Sequence, residues 1–186
     1  HWVLVRLNFH PGMVLRERIN LLMSEIFEIP APLELHTEVV RPEWIDHNGH
    51  MNSAYYVLAF DEAGTTLFDY FGLSHEYRKS ALKGIFVGDY HIHYSREVLE
   101  GDPLRFTHLL IDCDEKKVHY WQEMFHATKG YLAAQIEVIM LHVDLMSRKV
   151  TPFPTEIFDR IKAVQEAHSM VEAPKNLGRI IQIKRK

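Results

Sequence analysis

The stretch from Asp46 to Gly72, DHNGHMNSAYYVLAFDEAGTTLFDYFG, constrains the fold most, because a polar turn runs without interruption into a long apolar helix. Asn52 and Ser53 are good N-cap residues, since a short side-chain oxygen can take a free N–H of the first helical turn. No proline breaks the pattern before Gly72, and glycine suits the left-handed position that ends a helix. Tyr56, Phe60, Ala63, Leu67 and Phe71 recur on one face, and Val57, Gly64 and Phe68 widen it. Asp61, Glu62, Thr65, Thr66 and Asp69 supply the polar side. The spacing predicts a mostly buried helix, about 28 Å long at ~1.5 Å per residue, with one sheet wrapped round it.

From Gly84 the apolar period changes from 3.6 to 2. In 84–98, Phe86, Tyr90, Ile92 and Tyr94 share one parity and Asp89, His91, His93 and Ser95 the other, as in a half-buried antiparallel strand. Turn signals at 100–103, 114–117 and 129–130 separate further strands at 104–113, 118–128 and 131–146. The last is apolar on both parities around Ile136 to Leu141, which predicts a strand that is central or covered on both faces. Residues 33–40 read as a first strand, 73–83 as a polar, mobile connection, and 155–167 as a surface helix capped by Thr155. The expected order is strand, long helix, then four strands in a meander, an α+β arrangement with an antiparallel sheet round one central helix. Residues 1–32 form an extension with a short amphipathic helix from Met13 to Ile26, residues 33–154 the domain, and residues 155–186 a helix with a basic tail suited to disorder or partner contact. Open sheet edges predict a homodimer or a dimer of dimers.

Composition narrows the function classes. With 186 residues and 47% hydrophobic content there is room for one real core. A net charge of −4 gives no basic field for nucleic acid. Cys113 is the sole cysteine, so neither an intrachain disulfide nor a cysteine-based zinc site can form. No apolar run approaches the ~18 residues of a membrane span, and the N-terminus lacks the order of a signal peptide. These features predict a cytoplasmic protein with no membrane partner.

Chemistry concentrates at the mouth of the predicted helix. Asp46 precedes unpaired N–H groups and the positive end of a helix dipole, where a developing oxyanion is stabilised. Against an ester or thioester carbonyl held there, Asp46 could attack the carbon or activate a water. Gly49 lets the backbone approach a ligand. An Asp in this place equally serves as a turn or cap residue. Glu62, mid-helix in apolar surroundings, is either a second catalytic carboxylate or a paired structural one. His47 and His50 lack a third ligand at recognisable spacing, and His91 and His93 share a strand face; no metal and no cofactor is expected.

The run Pro42-Glu43-Trp44-Ile45-Asp46-His47-Asn48-Gly49-His50-Met51-Asn52, with Tyr55-Tyr56 and Asp61-Glu62-Ala63, resembles the acyl-CoA thioesterases of the hot-dog fold, in the 4-hydroxybenzoyl-CoA thioesterase-like group. The resemblance covers about Leu33 to Pro154. It implies Asp46 as nucleophile or general base, Gly49 as the turn glycine, and the amide of Ser53 or a neighbour polarising the carbonyl, with His50 and Glu62 as further catalytic candidates. It also implies an acyl-CoA substrate, a dimer with sites at the subunit interface, and Arg78, Lys79, Lys83 and Arg96 as phosphate partners. The departure is at His50-Met51-Asn52, where many relatives carry apolar or aromatic residues. The wording of the turn is most similar to thioesterases of carnitine catabolism that hydrolyse betainyl-CoA. Trp44, Tyr55, Tyr56, Tyr90, Tyr94 and Trp121 could cage a trimethylammonium group, with Asn48 and Asn52 as polar substrate contacts. Aromatics at strand parity also serve simply as core. Two other readings stay open: an acyl-CoA hydratase on the same fold, depending on His50, and a non-catalytic acyl-CoA-binding protein.

Overall fold

The computed structural model describes residues 29–183, so the expected Met13–Ile26 helix lies outside the described residues. Strand β1 (Leu33–Val39) leads through a 3-10 turn (Pro42–Trp44) to helix α1 (Ser53–Phe71). Helix α2 (His75–Ala81) follows, then strands β2 (Lys83–Tyr94), β3 (Pro103–Cys113), β4 (Lys117–His126), β5 (Leu132–Asp144) and β6 (Lys149–Val150), and helix α3 (Thr155–His168).

Both ends of α1 are built from local chemistry. The Asn52 side chain accepts the Ala54 N–H at 3.0 Å, as an N-cap does. Gly72 takes φ +91° at the C-cap, and its N–H returns to Asp69 O at 2.9 Å. Arg160 of α3 donates to Phe71 O at 3.2 Å and so covers one of the carbonyls that a helix end leaves open. The predicted face is the buried one: Tyr56, Phe60, Ala63, Gly64, Leu67, Phe68 and Phe71 are all buried. Phe60 meets Phe106 of β3 edge to face at 5.7 Å, and Phe68 meets Tyr120 of β4 at 5.8 Å. Truncating a buried phenylalanine of this kind costs about 3–5 kcal/mol.

The sheet is antiparallel, in the order β1-β3-β4-β5-β2, with β6 on the end of β5. This corrects the expected four-strand meander: only β3, β4 and β5 follow one another in space, whereas β2 crosses to the far edge and pairs with β5 from Lys83↔Asp144 to Tyr94↔Ala134. A bulge between Val87 and Asp89 breaks the predicted alternation of β2, where Leu141 presses on Gly88. As an edge strand β2 leaves Phe86, Val87, Tyr90 and Tyr94 exposed rather than half-buried by parity. The central position of β5 agrees with its two-sided apolar run, since Ala133 to Ile136 are buried on both parities.

The 73–83 connection is not a loop. Ser74 accepts the Tyr77 N–H at 3.3 Å and caps α2, which has Glu76 in its first turn and Arg78 and Lys79 in its last. In α3 the N-cap is Pro154, and Thr155 is the first helical residue. Ile157, Ile161, Val164 and His168 form its buried face, and His168 Nδ1 takes the Leu110 N–H at 2.8 Å beside a bulge in β3. Of the tail after α3, expected to be disordered or partner-bound, residues 176–179 lie on this chain's own sheet, while Ile180, Ile181 and Ile183 are exposed. Asn176 Nδ2 donates to Gln135 Oε1 at 3.0 Å, Gly178 N to Glu137 Oε2 at 2.8 Å, and Arg179 to His93 Nδ1 at 2.6 Å. Among the described residues no helix is long and apolar enough to cross a membrane.

Candidate active site

Residues 44–52 form a tight loop that closes on the N-terminus of α1. Ile45 and Met51 pair as an isolated bridge, Asp46 N–H donates to His50 O at 3.1 Å, and Gly49 N–H returns to Asp46 O at 3.0 Å. Gly49 sits at φ +81°, where a side chain would strain the backbone, and a Cβ built there meets nothing within 4 Å. Asp46 Oδ1 accepts the Asn48 N–H at 2.7 Å, an Asx turn that fixes the half-buried carboxylate. Met51 N–H donates to Val98 O at 3.0 Å and Asn52 N–H to Trp44 O at 2.9 Å, so the loop is tied both to the β2–β3 connection and to the helix cap.

Beside this loop a cleft of about 280 Å³ is lined by His50, Met51, Ser53, Tyr56, Tyr94, Ser95, Arg96 and Glu97. It brings together His50, Ser53, Tyr56 and Arg96 from the sequence candidates, with Tyr94. Tyr56 and Tyr94 stand edge to face at 5.2 Å, and the Tyr94 hydroxyl donates to Ser53 O at 3.1 Å. Burial pushes the Tyr56 hydroxyl up to about 12 and raises the Tyr94 hydroxyl as well, so both are neutral phenols at ordinary pH. The Arg96 guanidinium lies 4.0 Å over the Tyr131 ring.

The remaining candidates are spread more widely. Trp44 is 1% exposed and stacks on Tyr55 at 5.8 Å, with the Arg41 guanidinium 4.6 Å over its ring. Asn52 is committed to the helix cap, His47, Asn48 and Gly49 are exposed on the loop, and His50 Nδ1 lies 3.3 Å from Met51 O. Tyr90 lies outside the cleft, lining a slot with Val57, Phe60, Asp61, Tyr120 and Gln122. Trp121 is buried, its Nε1 directed at Glu123 Oε1 at 3.4 Å. The six aromatics therefore do not converge on one cage within a single chain. Arg78 lines a separate cavity of about 280 Å³ with Asp61, Thr65 and Phe86, and Lys79 is exposed. His91 and His93 share a face, where Arg179 engages His93; burial, then the Arg179 charge, lowers the His93 imidazole.

Glu62 pairs with Arg41, whose Nη2 lies 3.2 Å from Glu62 Oε2 and 2.7 Å from Glu38 Oε2. Burial alone would raise the Glu38 carboxyl, but the Val39 amide and Arg41 together hold it below the usual carboxylate range. His36, Glu38 and Glu62 place donor atoms within 4.8 Å of one another, the spacing of a metal site, yet Arg41 already stands against both carboxylates. Sequence reasoning missed Arg41. The i, i+3 spacing of Glu38 and Arg41 was readable, but the partner 21 residues away was not.

Comparison with known proteins agrees with this architecture. The betainyl-CoA thioesterase of Pseudomonas aeruginosa is 32% identical over 142 residues, covering 76% of this chain and 89% of that protein. An L-carnitine dehydrogenase/betainyl-CoA thioesterase of Rhizobium meliloti is 30% identical over 162 residues; the match takes 87% of this chain but spans only 32% of that longer protein. A hypothetical protein of Staphylococcus aureus, solved in complex with CoA, superposes with a TM-score of 0.77 at 28% identity over 83% of this chain and 98% of that one. The sequence profile of the Thioesterase-like superfamily matches residues 40–164, a span that holds the Asp46 loop, the buried helix and β2 to β6, and the chain belongs to that family.

Proposed function

We propose that this acyl-CoA thioesterase hydrolyses a small cationic acyl thioester, betainyl-CoA foremost, with Asp46 as nucleophile or general base. The observation that carries the reading is the Asp46 carboxylate, held by the Asn48 N–H on a loop whose far end is the N-cap of α1. The Ser53 N–H at the first helical position has no intrahelical acceptor, and the helix dipole adds positive potential there. A thioester carbonyl set against it gains stabilisation as negative charge develops on oxygen.

Asp46 then acts by one of two routes. It adds to the carbonyl carbon and expels the CoA thiolate, leaving an anhydride that water opens, or it takes a proton from a water that attacks directly. Both consume one water and yield the free acid and the CoA thiol. The cleft walled by Tyr56 and Tyr94 suits the acyl end, because neutral phenol rings attract a quaternary ammonium. The name of the Pseudomonas aeruginosa relative supports the betainyl group, and the CoA in the Staphylococcus aureus structure supports the carrier. Arg96 on the cleft would meet the CoA phosphates, whereas Arg78 and Lys83 stand at the opposite end of β2.

The working form in this reading is a dimer made through β2. That strand pairs only with β5 among the described residues, and its exposed Phe86, Val87, Tyr90 and Tyr94 are what a second copy would cover. Such pairing brings Tyr90 towards the site of a partner chain and completes the aromatic wall.

The test is release of free CoA thiol from a panel of acyl-CoA esters, betainyl-CoA included. Turnover best on betainyl-CoA and abolished by Asp46→Asn supports the reading. Hydration of an enoyl-CoA without thiol release, or binding without turnover, would replace it by the hydratase or the sensor.

A further inference from the structure

Trp44 links the Asp46 loop to the helix twice, through its carbonyl, which accepts the Asn52 N–H at 2.9 Å, and through its ring, which stacks on Tyr55 at 5.8 Å and 16°. Whatever holds that ring sets where the loop stands. The ring carries the Arg41 guanidinium at 4.6 Å, and Arg41 Nη2 in turn bridges Glu38 of β1 at 2.7 Å and Glu62 of α1 at 3.2 Å. A planar guanidinium can offer its edge to carboxylates and its face to an aromatic ring, which an ammonium group cannot do in one geometry.

Glu62 has a second candidate role, as a catalytic carboxylate. It lies nine residues along α1 from Ser53, about 14 Å at ~1.5 Å per residue. A thioester carbonyl polarised at the start of the helix is therefore out of its reach within one chain, and its oxygen is already given to Arg41.

We infer that Arg41 is a positioning residue for the reaction: clamped between Glu38 and Glu62, it fixes Trp44 and thereby holds the Asp46 loop against the mouth of α1. The inference rests on the reading of Asp46 as the reacting carboxylate. Its chemical consequence is selective. A loop shifted by about 1 Å still binds the CoA portion of a substrate, but misplaces the reacting oxygen, and misplacement of that size costs up to ~100-fold in rate.

The test measures kcat and KM for thiol release, with thermal midpoints, in Asp46→Asn, Arg41→Met, Arg41→Lys, Glu62→Gln and the double variant Arg41→Met/Glu62→Gln. Arg41→Met and Glu62→Gln are expected to lower kcat by roughly 10- to 100-fold with KM within about 3-fold of wild type. The double variant is expected to be no slower than Arg41→Met alone, because both changes break one network. Arg41→Lys, which keeps the charge and removes the least packing, is expected to stay folded and still lose kcat. Wild-type kcat in Arg41→Met, or losses that only follow a falling thermal midpoint, overturns the inference. So does an inactive Glu62→Gln beside an active Arg41→Met, which makes Glu62 catalytic in its own right. Full turnover in Asp46→Asn instead removes the reading on which the inference rests, whatever the Arg41 variants do.

Discussion

Gln122 of β4 reaches into the middle of the buried helix, where its side-chain oxygen accepts the Gly64 N–H at 3.1 Å and its amide N–H donates to Phe60 O at 3.3 Å. The Tyr120 hydroxyl closes the same spot, 3.2 Å from where a Cβ on residue 64 would stand. Sheet and helix touch there so closely that a methyl group fits only if the Tyr120 hydroxyl gives way by a few tenths of an ångström.

Gly64→Ala follows directly. Alanine favours a helix over glycine by about 1 kcal/mol, but Tyr120 is 3% exposed and cannot yield easily. Urea unfolding is expected to show a net loss of up to about 2 kcal/mol. In a Tyr120→Phe background the same change is expected to be neutral or stabilising, and a loss of equal size in both backgrounds would mean that the hydroxyl is not the obstacle.

His108 sets a pH dependence of stability. It is fully buried on β3, its Nδ1–H donating to the Gln122 oxygen at 3.0 Å, and burial first, then the neighbouring His36 and His168, lowers it from 6.5 to about 3. In the unfolded chain it regains its ordinary value, so between those limits the unfolded state binds the extra proton. Stability is then complete above pH ~6.5 and falls by up to about 1.4 kcal/mol per pH unit below it. The buried His142 is lowered too, chiefly by burial, and adds to the slope. Denaturant midpoints from pH 7 to 5 should decline less steeply in His108→Asn than in wild type, and parallel declines would exclude His108 as a source.

Asp46→Asn keeps an oxygen able to accept the Asn48 N–H, so the loop should persist. Thiol release is expected to fall by roughly 100-fold or more, with the thermal midpoint within a few degrees of wild type. An active variant would move the reacting group from Asp46 to a residue of the neighbouring cleft.

Tyr90→Lys places a charge on the exposed outer edge of β2, where Tyr90 is 48% exposed in the single chain and a lysine stem can cover the part of the slot that the ring lines. Sedimentation is expected to show the wild type as a dimer and the variant shifted to monomer, with turnover lost alongside. A dimer unaffected by Tyr90→Lys or Val87→Lys would direct attention to the β1 edge.

Short-range relationships were legible in the chain. Asn52 as cap, Gly72 as the end of α1 and the Tyr56–Phe60–Ala63–Leu67–Phe71 face all depend on residues within a few positions of one another, which a 3.6-residue period exposes. Helix α2 was missed: Ser74, Glu76 and the basic residues of its last turn are local helix signals, but the polar composition of 73–83 made it read as a mobile connection. The Asp46 loop could be located because a turn carboxylate before a helix is a local pattern.

Strand partnership, by contrast, is a long-range choice. Period-2 alternation says that residues 84–94 form a strand, but not that β2 lies beside β5 rather than β3, and the bulge after Val87 erased the parity from which its faces were read. Which aromatics share a cleft depends on that choice, so Tyr56 and Tyr94 meet while Tyr90 and Trp121 stand elsewhere. Arg41 and Glu62 meet across 21 residues because β1 packs beside α1. Sequence by itself determined the long helix with both its caps, the main strands and the place of the Asp46 turn, since these follow from neighbouring residues; the pairing of edges and the Arg41–Glu38–Glu62 network were decided only when the sheet closed round the helix and brought distant side chains within bonding distance.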